Sequence, residues 1–110
     1  MKLRHSLLLT ALSVTAGAAF GATTAENWDN FCAKCHGPDG AAKTVVGKKL
    51  KLKDYTDAKV QDSLKDEEMF KATKEGVKDD NGKERMKSFK ADLSDAEINE
   101  LVAHIRKMKK

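Results

Sequence analysis

The chain has 110 residues, with 21 Lys and Arg against 17 Asp and Glu for a formal charge of +4, and only 5% of its residues are aromatic. That charge is too slight for a nucleic-acid binder, and the length allows one small domain, near the size at which apolar burial barely offsets chain entropy. Such a domain needs a staple, and a bound metal or apolar cofactor would supply the missing interior.

The first residues, MKLRHSLLLTALSVTAGAAFG, combine a basic start at Lys2, Arg4 and His5 with an apolar run from Leu7 to Phe20 and a small-x-small end. This pattern reads as a secretory signal peptide over residues 1–21, with Ala25 as the latest plausible end, leaving a single domain over residues 22–110. The run is too short and too rich in small residues for a comfortable membrane span, and no second stretch of spanning length follows. Processing removes Lys2 and Arg4 and no acid, which leaves 19 basic against 17 acidic residues.

Helix is favoured thereafter. Thr23 and Glu26 form a capping-box pattern for a short helix carrying AENWDNFCAKC, with Trp28, Phe31 and Cys32 toward one side. Gly37 to Tyr55 lacks a sustained period and reads as loop. Thr56 or Asp57 can cap a short helix through Leu64, and KDEEMFKATKEG predicts a second, ending at Gly76. The stretch VKDDNGKERMKSFKAD, with a turn signal at Gly82, predicts an extended surface loop. Ser94 and Glu97 form another capping box, Leu93 and Ile98 a hydrophobic staple, and Ile98, Leu101, Val102 and Ile105 one apolar stripe, with Met108 near its end. Strand signals are weak, so the expected fold is all-α: three to five helices with long loops.

Both cysteines and one of three histidines fall within FCAKCHGPDG. Zinc would need two further ligands, with His36, His104 and carboxylates as the poor supply. A redox dithiol normally accompanies a strand-helix pattern, and a disulfide between Cys32 and Cys35 would close too small a loop to stabilise much. Cys-x-x-Cys-His at Cys32, Cys35 and His36 is instead the attachment pattern of c-type haem. Two thiols three positions apart on a helical turn point the same way and can bond to the porphyrin's two vinyl groups. The adjacent imidazole is then carried under the iron.

Over nearly the whole processed chain the sequence resembles the class I cytochrome c family. NWDNFCAKCHG is similar to its first helix, with Trp28 at the usual aromatic position, ERMKSF to its methionine-ligand loop, and LSDAEINELVAHIRKMKK to the last helix, which crosses the first. The resemblance implies a small cytochrome c-like fold wrapped around one covalent haem c, with His36 and Met86 as axial ligands of a low-spin iron. Among the other candidates for the second position, Met69 falls within an amphipathic helix as core filling, Met108 in the last turn, and His104 where the family packs an aromatic against the first helix. The chain departs from the family at Lys87, where a proline usually follows the methionine, and at VGKKL, which lacks the Gly-Pro pair whose carbonyl meets the proximal histidine. A carbonyl near Val46 or Gly47 is the expected substitute.

Phe31, Val45, Val46, Leu50, Leu52, Tyr55, Val60, Leu64, Phe70, Val77, Phe89 and Leu101 are the candidate pocket wall. Tyr55, Lys51, Lys53 and Arg85 are candidate partners for the haem propionates. The implied role is a monomeric periplasmic electron carrier, not an enzyme. It would meet redox partner proteins through an exposed haem edge near Cys32 and Cys35, in a small contact ringed by lysines, and the run Lys48, Lys49, Lys51 and Lys53 can steer a charged partner. The alternatives are a haem whose open or labile distal side binds a gas or reduces peroxide, and the cytochrome subunit of a larger redox enzyme.

Overall fold

The computed structural model describes residues 21–110; the predicted leader over 1–21 lies outside them except for Gly21. The chain runs through α1 (Thr24–Phe31), α2 (Ala33–His36), α3 (Val45–Leu50), α4 (Ala58–Ser63), α5 (Asp66–Glu75), β1 (Val77–Lys78), β2 (Glu84–Met86) and α6 (Asp95–Arg106).

Both capping boxes form. Thr23 Oγ1 accepts from Glu26 N at 3.2 Å while the Thr23 backbone N–H donates to Glu26 Oε1, and Ser94 and Glu97 do the same at the start of α6. Each pairing satisfies donors that a helix start would otherwise leave bare. α1 then crosses α6 through Trp28, which is 2% exposed, and Ile98, which is fully buried, with Leu101, Val102 and Ile105 completing the seam. Full burial of a side chain such as Ile98 contributes about 1.5–3 kcal/mol. Asn27 Nδ2 donates to Glu97 Oε2 at 3.1 Å and locks the crossing laterally. α5 closes the third side with Met69 in the core and Lys74 paired to Asp95 at 3.0 Å.

The predicted first helix is two segments. It breaks at Cys32, whose φ of −118° departs from helical geometry, although its carbonyl still accepts from His36 N at 2.9 Å. Within the expected loop 37–55 the chain forms α3, capped by Thr44 Oγ1 on Gly47 N at 2.8 Å. Gly47 is required there, because a Cβ would stand 2.8 Å from the Cys35 carbonyl oxygen and closer still to that of Ala42. Within the expected loop 77–92, β1 and β2 pair antiparallel with Val77 opposite Met86. Their turn is tied by Asp79 Oδ1, which accepts from Asn81 N and Lys83 N at 2.9 Å, and Gly82 takes the positive φ of 77°.

One polar node joins the loop before α4 to α6. Gln61, 4% exposed, donates through Nε2 to the carbonyls of Tyr55 at 2.7 Å and Ile105 at 2.8 Å. Arg106 reaches back to the carbonyls of Gln61 and Leu64, both at 2.7 Å, and to Asp66 at 2.8 Å. Every buried group in it is partnered, so the node carries little desolvation cost.

Candidate haem site

The motif residues are held by their own backbone. Trp28 Nε1 donates to the Gly37 carbonyl at 2.9 Å, Ala42 N to that of His36 at 2.9 Å, and Thr44 Oγ1 to that of Cys35 at 2.6 Å. Gly37 turns the chain at φ 83°, which places α3 against α2. Cys32 is buried, Cys35 half-buried, and neither is disulfide-bonded. Among the described residues no cluster of three or more His, Cys, Asp or Glu side chains assembles, so zinc's ligand set does not come together around these thiols.

Two cavities, of about 340 and about 480 Å³, meet at Cys32, His36, Lys53, Tyr55, Ala72, Val77 and Met86. One wall is the α1–α2 motif. The other is the C-terminal part of α5 with the hairpin that brings Met86. Phe31 and Phe89 close the gap between the walls edge to face at 5.7 Å, a favoured aromatic geometry. Leu50, Leu52, Leu64 and Leu101 complete the apolar lining.

Of the twelve expected wall residues, Val45 is 85% exposed, and Val46, Val60 and Phe70 are off both cavities. Val45 opens the first turn of α3 on its outer side. Phe70 packs on the core from outside, with the Lys74 ammonium 5.7 Å from its ring centre. Lys51, Lys53, Arg85 and Lys87 stand at the mouth, and Arg85 Nη2 donates to the Leu50 carbonyl, tying β2 to the end of α3. Tyr55 does more than line the wall: its ring stacks on His36 at 5.2 Å and 18°. No periodic signal marks that pairing, which the node at Gln61 fixes by holding the Tyr55 carbonyl.

Burial pushes the Cys32 thiol up to about 12, with Cys35 adding to the rise, so it remains a neutral thiol near pH 7. Burial lowers His36, which is therefore neutral with a lone pair free for a metal. Its Nδ1 is buried without a hydrogen-bond partner among the described residues. The expected carbonyl near Val46 or Gly47 does not supply one; that of Gly47 accepts from Leu52 N at 2.9 Å. Of the remaining axial candidates, Met69 is buried in the core and lines the larger cavity, Met108 rests against Gly40, and His104 packs on Trp28 at 5.6 Å. Met86 lines both cavities.

A family model described as "Cytochrome C oxidase, cbb3-type, subunit III" matches residues 19–105. The chain belongs to this family of c-type cytochromes. A solved structure titled "KustC0563 c-type cytochrome" is similar over 81% of this chain and 100% of its own, at 29% identity and a TM-score of 0.69. No curated protein matches the sequence. The fold is thus a small, mostly helical cytochrome c-like fold, with six helices and a two-stranded sheet among the described residues against the expected three to five helices and no strand, and the family's group is one covalent haem c. The residues present fit it: an apolar slot of cofactor size, a neutral buried imidazole with an unpartnered nitrogen, two free thiols on one side and a thioether on the other wall.

Proposed function

We propose that this cytochrome is an exported electron carrier, with its haem bonded through thioethers to Cys32 and Cys35 and its iron held between His36 and Met86. The observation that carries this reading is that Cys32, His36 and Met86 line the same two adjoining cavities although the hairpin and the motif lie some fifty positions apart in sequence. When bound, the haem supplies a one-electron couple; the chain sets the conditions. Desolvation holds His36 neutral, Tyr55 and Trp28 fix its ring, and Phe31, Leu52, Val77 and Phe89 exclude water from the slot. A thioether at Met86 suits ferrous iron and raises the potential. A haem held by both His36 and Met86 would offer no open site to a substrate, as a carrier requires and a catalyst does not.

The matured protein is expected to be low-spin in both oxidation states, to show the near-infrared thioether-to-ferric-iron band, and in its ferrous form to leave carbon monoxide unbound. High-spin iron before any addition would overturn the carrier reading in favour of an open distal side.

Residues 1–21 are assigned to an export leader and residues 22–110 to the cytochrome domain, delivered to the periplasm as a monomer. No helix among the described residues is long and apolar enough to cross a membrane. The cavity mouth carries Lys51, Lys53, Arg85 and Lys87, and Lys48 and Lys49 lie exposed on neighbouring α3. A mouth of this sign fits an acidic redox partner in a small, short-lived contact. Raising ionic strength from about 0.01 to about 0.15 M shortens the screening length from about 30 to about 8 Å. The second-order electron-transfer rate with an acidic partner should then fall by about tenfold. A flat rate in stopped-flow measurement would remove the lysine contribution.

A further inference from the structure

The residue after Met86 does little to stiffen the loop. Lys87 is exposed, with its ammonium 5.3 Å from the Phe89 ring centre and 3.4 Å from Asp92. Besides the pairing of Met86 with Val77, what holds the ligand loop is the C-terminal end of α5. Gly76, tied to that helix by its N–H on the Ala72 carbonyl at 2.8 Å, turns outward at φ 81°. Two residues of the ligand loop then fasten onto the same helix end: Ser88 Oγ donates to the Lys74 carbonyl at 2.6 Å and Phe89 N to that of Thr73 at 3.0 Å. A Cβ on residue 76 would stand 2.7 Å from the Met86 carbonyl oxygen, 2.8 Å from Ser88 N and 3.1 Å from the Lys87 carbonyl carbon. All three are backbone atoms, so no side chain can swing aside.

We propose that Gly76 is a positioning residue for Met86: its missing side chain lets the 86–88 backbone lie directly on α5 and so sets how far the thioether reaches into the haem slot. The inference rests on the assignment of Met86 as axial ligand. Gly82 provides an internal control. It has φ 77°, and a Cβ there would meet nothing within 4 Å, so alanine at this position carries the same left-handed penalty without touching the ligand loop.

The test is imidazole titration of the ferric, matured holoprotein, followed with the near-infrared band. G76A is expected to bind imidazole about tenfold more tightly than wild type and to lose band intensity, G82A to stay within about twofold, and S88A, which removes one tether without strain, to shift about threefold. Equal imidazole affinities in G76A and G82A would overturn the proposal. Should G76A fail to accumulate, an S88A protein indistinguishable from wild type would overturn it instead. M86A tells the two readings apart: a large change there with none in G76A and S88A sinks the positioning role alone, whereas no change in M86A sinks the axial assignment and this inference together.

Discussion

Replacing Cys32 and Cys35 together with serine should give an exported chain whose mass is that of its amino acids alone and whose haem, if any, is stripped by acidified organic solvent. Serine keeps the shape of the side chain and lacks the sulfur that bonds to a vinyl group, so the loss would be chemical and not one of packing. The structural consequence should be larger than for an ordinary core variant. The slot of about 340 Å³ would lose the group that fills it and its apolar walls the contacts that group supplies, in a domain whose total stability is about 5–15 kcal/mol. The double variant is therefore expected to lose its cooperative thermal transition and to be cleared by proteases during expression, whereas the single variants C32S and C35S, each keeping one thioether, should retain colour and a weakened transition. Far-UV circular dichroism and intact mass decide it. A double variant with a native-like melting curve would show that the slot is not the interior that holds this fold together.

That dependence explains which parts of the chain were legible in sequence. The motif at Cys32, Cys35 and His36 is contiguous, and both crossing helices announce themselves, because capping boxes at Thr23 and Ser94 and the stripe from Ile98 to Ile105 are local patterns. α3 was not, since it has six residues with Gly47 inside, and its reason for existing is tertiary: the carbonyls of Ala42 and Cys35 press on Gly47. The stack of Tyr55 on His36 was equally hidden, as was the node in which Gln61 and Arg106 bind carbonyls more than forty positions away. Val45 shows the opposite error. An apolar residue beside another reads as wall, yet α3 packs through Gly47 and leaves Val45 85% exposed, an orientation that no local pattern gives.

The substitution M86A should convert the protein from low-spin to high-spin in the ferric state, abolish the near-infrared thioether band, open the ferrous form to carbon monoxide, and lower the reduction potential. The potential should fall because the thioether stabilises the ferrous more than the ferric ion, and axial ligands tune haem potentials over about 0.8 V. A fall on the order of 0.2 V, or about 5 kcal/mol of lost preference for the reduced state, is the size that loss of one soft ligand should produce. Stability should change less, because Met86 is only half-buried and its backbone stays paired with Val77. Met69 is the informative control, since it too lines the larger cavity. It is 7% exposed and packed among the Trp28, Leu101 and Ile105 cluster, so M69L should preserve spectrum and potential while lowering the melting temperature slightly, as volume-conserving core changes do. If M69L takes away the band and M86A leaves it, the sulfur on the iron comes from α5 and the hairpin merely covers the slot. If neither does, His36 has a different partner and the carrier mechanism loses its sixth ligand.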